Sequence, residues 1–338
     1  MKRIFSIFLF VYLTSFIFGQ EEQIKLDLAS DYPRWLLTEN NRTDQTSGIA
    51  YIKSESDEKY FLLADDIGKI SMLTIKNDVF EIKTLIFSDS AKNFAASLPK
   101  ADFEEIVYDP ADNSVYVSIE GNGVYFNKYV GIYKIHFLND KPPFKEISYF
   151  EKVEFIPTEL FHKYTDKNIG YEGLTVDNNY FYLGLEGFLK NYLFADSALI
   201  FIARKSDKTI IKQISTKSFG IHTVCGLYSD KDYSLWGIDR NQRKIFHLML
   251  DKNLDVIDFN LYDCSTQIPG YPNLNYKASF ESITMDDEHN LYLVDDPWTE
   301  VFVPDQEVLE ELDKKTINNF KKYVPIIFKY KITTKQGE

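Results

Sequence analysis

A hairpin motif recurs five times along this chain of 338 residues, and the repetition restricts the fold more than any other feature. Residues 47–66 read SGIAYIKSESDEKYFLLADD, and their counterparts are 104–121 (EEIVYDPADNSVYVSIEG), 172–187 (EGLTVDNNYFYLGLEG), 225–240 (CGLYSDKDYSLWGIDR) and 281–296 (ESITMDDEHNLYLVDD). Each copy is a short apolar strand, a turn rich in Asp, Asn or Ser, and a second strand of alternating aromatic and aliphatic residues. A repeat of this size cannot bury its own apolar face, so copies must stack on one another.

Two further strand candidates follow most copies, for instance GKISMLTI and then FEIKTLIF after the first. Four strands per copy describe a propeller blade. The expected fold class is therefore all-β: a single β-propeller of five four-stranded blades, with a sixth open only if residues 150–167 supply strands. After the last copy only YVPIIFKYKI remains as a third strand, and IKLDL (residues 24–28) is expected to supply the fourth and close the ring. Between the second and third strands of that blade, residues 305–323 carry Leu309, Leu312, Ile317 and Phe320 at helical spacing. That spacing predicts one inserted amphipathic helix packed on the propeller.

The chain opens with Lys2, Arg3 and an apolar run from Ile4 to Phe18, the pattern of a secretory signal peptide over residues 1–19. Residues 20–338 are then one propeller domain, expected to be secreted or periplasmic and not membrane-bound once the leader is removed. Without Lys2 and Arg3, 36 basic residues face 51 acidic ones, a formal charge of −15. Nucleic acid is accordingly not an expected partner. Cys225 and Cys264 fit no metal motif and read as small buried residues rather than a required bridge.

The motif places acids at two recurrent positions. Asp65, Glu120, Glu186, Asp239 and Asp295 stand near the ends of the second strands, and Ser47, Glu104, Glu172, Cys225 and Glu281 at the starts of the first. In a propeller these two ends lie together at one mouth of the central channel. Eight carboxylates converging there need compensation. A hard divalent cation supplies it most simply, since calcium takes six to eight oxygen ligands at ~2.4 Å. The plainer reading is that the acids cap hairpins and meet solvent. No nucleophile elbow, phosphate-binding loop or dinucleotide fingerprint is present, and His222 reads as an ordinary hydrogen-bonded residue.

The order of these motifs resembles that of the secreted propellers called phytase-like, or esterase-like activity of phytase, and more loosely the SdiA-regulated propellers. The first resemblance implies a calcium requirement and a phosphoesterase or esterase activity on a small anionic substrate. It places Glu104, Glu172 and Glu281 on the family's EG glutamates, with Glu105 and Ser282 where the motif has glycine and Cys225 where it has an acid. On this reading Glu172 and Glu281 are metal ligands together with Asp65, Glu120, Asp239 and Asp295, and Glu186 or Glu104 acts as base. Arg240 and Lys277 would neutralise the substrate. The alternatives are a non-catalytic binding propeller with a structural ion and a calcium-dependent lactonase.

Overall fold

The computed structural model describes residues 23–139, 141–186, 199–230, 233–297 and 303–335; the expected leader lies outside them. Five sheets follow one another around a ring, each built on four antiparallel blade strands; Arg34–Trp35 adds a short strand to blade 5, and Ile86–Phe87 pairs parallel at the edge of blade 2. Their first strands are Thr46–Glu55, Phe103–Asp109, Tyr171–Val176, Gly226–Ser229 and Phe280–Met285. Each inner strand packs on the inner strand of the next blade, and the fifth returns to the first. The closing strand is the expected one: Gln23–Leu28 pairs antiparallel with Ile326–Lys335 at the outer edge of blade 5.

Alternation explains why the blades stack. In the second strand of blade 1, Leu62 joins the apolar layer shared with blade 2, while its neighbours Phe61 and Leu63 join the layer shared with blade 5. Phe181 and Tyr182 divide in the same way between the layers toward blades 2 and 4. Successive strand residues face opposite sides, so a sheet sandwiched between two others needs apolar residues on both. Five interfaces result, and each buried Leu or Phe in them contributes about 1.5–3 kcal/mol.

Residues 88–101, too poor in strand formers for a blade, carry the helix Asp89–Ser97. Within residues 150–167 the last strand of blade 2 ends at Val153 and the short helix Thr158–Phe161 follows, so no sixth blade arises. The segment 305–323, expected as one helix, forms two: Gln306–Glu311 and Lys314–Lys321. Asp313 breaks it, adopting extended backbone and accepting the Thr316 N–H at 2.7 Å as the cap of the second helix. Leu312 and Phe320 are buried on the propeller, where Phe320 meets Trp35 and Tyr276 edge to face. No helix among the described residues is long and apolar enough to cross a membrane.

Candidate functional site

The inner strands enter the ring through irregular pairing. Register shifts fall between Thr46 and Gly48, Phe103 and Ile106, Tyr171 and Gly173, and Phe280 and Ser282. Ser47, Glu104, Glu172 and Glu281 sit in these bulges. An extra residue bends the strand and re-aims its side chain. Here all four line a cavity of about 290 Å³ at the channel mouth.

The second strands contribute the other ring, at the expected Glu120 and Glu186 in blades 2 and 3 but one residue later than the motif alignment implies in blades 1, 4 and 5. Thr46, Phe103, Tyr171 and Phe280 pair with Asp65, Ile119, Leu185 and Asp295. Those partners are structurally equivalent, and the residues after them, Asp66, Glu120, Glu186 and Asp296, line the cavity. Arg240, which follows Asp239, completes this ring from blade 4. A one-residue step reverses the side a strand residue faces.

Asp65, Asp239 and Asp295, expected on the rim, therefore lie away from the cavity and tie down the segment entering each blade. Asp65 accepts from Thr46 Oγ1 at 2.8 Å; Asp239 accepts from the His222 N–H at 2.7 Å and from Thr223 Oγ1 at 3.2 Å. Asp295 accepts from the Tyr276 hydroxyl and the Ser279 N–H, both at 2.5 Å. Lys277 also stands apart, exposed and 3.5 Å from Asp305. Cys225 and Cys264 are free thiols.

Arg240 is the buried counter-ion of one side of the mouth. Its Nη1 donates to both Glu281 oxygens at 2.7 and 2.6 Å, and its Nη2 donates to Glu186 and lies 3.6 Å from Glu172. Ser279 Oγ also donates to Glu281, at 2.5 Å. Burial raises the Glu281 carboxyl to about 7 despite the guanidinium beside it. Burial, with the Glu172 charge added, holds Glu186 well above the usual carboxylate range. Glu281 and Arg240, assigned from sequence to a metal and a substrate, are thus engaged with each other.

On the other side, Lys100 pairs with Asp66 at 3.0 Å and Asp102 at 2.5 Å. Burial pushes Asp102 up to about 6, with Lys100 opposing. Glu104 and Glu120 have no hydrogen-bond or ion-pair partner among the described residues, although Glu120 is only 4% exposed. Both are held far above the ordinary range by burial first and then by the surrounding carboxylates. Oxygens of Asp102, Glu104 and Glu120 lie within 4.8 Å of one another, as do those of Glu120, Glu172 and Glu186. These clusters can hold a metal ion, and an all-oxygen donor set suits a hard cation such as calcium. Eight carboxylates line the cavity with only Lys100 and Arg240 against them.

No family model matches the chain, and no curated protein matches it. Among solved structures, the PQQ-bound aldose sugar dehydrogenase of Streptomyces coelicolor is 10% identical, with 92% of this chain and 99% of that one covered, at a TM-score of 0.45. A GH43_1 enzyme of Xanthomonas citri complexed with xylose is 8% identical, with 90% of each chain covered and a TM-score of 0.48. An α-L-arabinofuranosidase of Lactobacillus brevis is 10% identical, with 87% and 94% covered and a TM-score of 0.47. The chain is a five-bladed β-propeller whose buried acidic clusters at one mouth of the channel can bind a metal ion.

Proposed function

We propose that the protein is a calcium-assisted hydrolase, a phosphoesterase or esterase acting on a small anionic substrate at the acidic mouth. The carrying observation is Glu120, a buried carboxylate without a partner that belongs to both acidic clusters. Asp102, Glu104 and Glu120 would hold the ion, and Glu172 belongs with Glu120 to the neighbouring cluster. A bound divalent cation supplies Lewis acidity, lowers the pKa of a bound water and attracts an anionic group. The anion needs that cation because Lys100 and Arg240 are already paired with carboxylates.

Glu186 is the proton-handling group on this reading. Burial and the neighbouring Glu172 charge raise its pKa and so favour its protonated form, as a proton donor needs, and the Arg240 Nη2 donor fixes the orientation of its carboxyl. The leader-like amino terminus accords with a secreted enzyme. Hydrolysis of p-nitrophenyl phosphate, p-nitrophenyl acetate and a simple lactone, each with calcium and with chelator, tests the proposal. Chelator-sensitive turnover of either ester, lost in Glu120→Gln, is expected; absence of turnover on all three rejects an enzyme of this kind.

A second reading, a non-catalytic binding propeller, is favoured by Arg240. A guanidinium locked between Glu186 and Glu281 is a permanent internal cation, as a structural site would have. Calcium binding without turnover distinguishes this reading from the first.

A further inference from the structure

The channel has a second mouth. At the far ends of the five inner strands lies a separate cavity of about 370 Å³, to which every blade contributes. Val107, Val176 and Met285 give it apolar lining, and Tyr51, Tyr108 and Tyr228 give it aromatic lining.

Its acids differ in kind from those at the first mouth. Asp109, Asp177 and Asp286 cap hairpin turns, accepting from the Ala111, Asn179 and Asn290 N–H groups at 3.1, 2.6 and 2.8 Å. Lys205 pairs with Asp109 and Lys59 with Asp286. Asp230 lines the same cavity, and its carboxylate has no hydrogen-bond or ion-pair partner among the described residues. The mouth therefore keeps a negative surplus after its lysines are counted.

Ser229 supplies an independent sign of a ligand. It is 7% exposed and lines the cavity, yet its Oγ has no hydrogen-bond partner. Its N–H is satisfied across the blade interface by Thr175 Oγ1 at 2.9 Å, so the backbone is fixed while the hydroxyl waits. A buried hydroxyl left unpaired bears the full cost of its desolvation, which a polar ligand atom would relieve.

We infer that this second mouth binds a small organic cation, an ammonium carried on an apolar body. The negative surplus excludes an anion. A hard metal ion is a poor fit, because the carboxylate groups close enough to share one all belong to the first mouth among the described residues. Apolar and aromatic lining around a carboxylate suits an alkylammonium, which pairs electrostatically with both acid and ring.

Calorimetric titration of the whole protein with choline, and with its uncharged isostere 3,3-dimethyl-1-butanol, tests the inference. Saturable one-to-one binding of choline is expected, with the isostere much weaker. Asp230→Asn should weaken choline roughly tenfold, the loss of one close charge pair. Ser229→Ala should weaken it less, while Glu104→Gln at the first mouth should leave it unchanged. Asp287→Asn, on the exposed rim, provides a second charge variant should Asp230→Asn fail to fold. No saturable heat, equal binding of the isostere, or loss in Glu104→Gln with none in the second-mouth variants would overturn it.

Discussion

The Ser282 hydroxyl donates a hydrogen bond to the Glu105 carboxylate, joining blade 5 to blade 2 inside the ring. The Ile106 N–H donates to the same carboxylate oxygen at 3.1 Å, and the Ile49 N–H of blade 1 donates to Ser282 Oγ at 2.9 Å. The other three inner strands have glycine at this position. A Cβ on Gly48 would stand 2.5 Å from the Glu104 carbonyl oxygen, and one on Gly226 would stand 2.9 Å from Ser282 Cα. The two departures from the glycine motif are thus partners. Glu105→Ala and Ser282→Ala should each cost about 1–3 kcal/mol, as expected when a buried polar group loses its partner. The double variant should cost less than their sum, by about 0.5–3 kcal/mol in a denaturant-unfolding cycle. Strict additivity would remove the contact from the account.

The blade count and the closing strand were legible because stacked sheets impose apolar alternation on every strand, and Ile24, Leu26 and Leu28 carry that pattern. The first ring was legible too, since Glu104, Glu172 and Glu281 precede apolar runs. The second was placed one residue early in blades 1, 4 and 5, where an acid at the strand end precedes Asp66, Arg240 or Asp296. Aligning the strand ends, VSI before Glu120, LGL before Glu186 and GID before Arg240, identifies the register that the acids alone conceal. Lys100 and Asp102 were out of reach because they stand between the first and second copies, outside the repeated hairpin. The split at Asp313 was missed because hydrophobic spacing carries across a break that one capping side chain decides.

Acid stability follows from the raised carboxyls. Burial brings Asp65 and Glu281 to about 7 and Asp102 to about 6, above the values of the unfolded chain. Between the unfolded and folded values the native state holds protons that the unfolded chain has released. Their stabilisation is full below the unfolded values and is lost as pH rises through 6 to 7. Asp286, lowered by Lys59, acts oppositely and only at more acidic pH. The metal-free protein should melt at a higher temperature at pH 5 than at pH 8. A melting temperature that climbs over that interval contradicts the assignment.

Calcium should reverse that loss. Stabilisation by an ion that binds only the folded state grows with its concentration and reaches about 2.7 kcal/mol at a hundredfold excess over Kd. Adding calcium at pH 8 should raise the melting temperature and shrink the difference from pH 5. Glu104→Gln with Glu120→Gln should abolish the calcium effect while stabilising the metal-free protein at pH 8, because two partnerless carboxyls whose ionisation is opposed by burial and by neighbouring acids are replaced by neutral amides. An unchanged response in that double variant would move the ion elsewhere.

Arg240 makes the strongest demand, because it occupies in blade 4 the place that acids hold in the other four. Arg240→Gln leaves Glu186 and Glu281 buried without their cation, and breaking a buried pair from one side costs about 3–5 kcal/mol. That loss alone would suit any buried salt bridge. The distinguishing readout is calcium: with the guanidinium gone, Glu172, Glu186 and Glu281 become free to share an ion with Glu120. The calcium-induced rise in melting temperature should therefore be larger in Arg240→Gln than in the parent protein, and Glu281→Gln added to it should reduce that excess. If Arg240 only packs the interface, calcium will stabilise variant and parent equally. That outcome would separate Arg240 from the cation site and leave Glu120 and its neighbours in blades 2 and 3 as the whole of it.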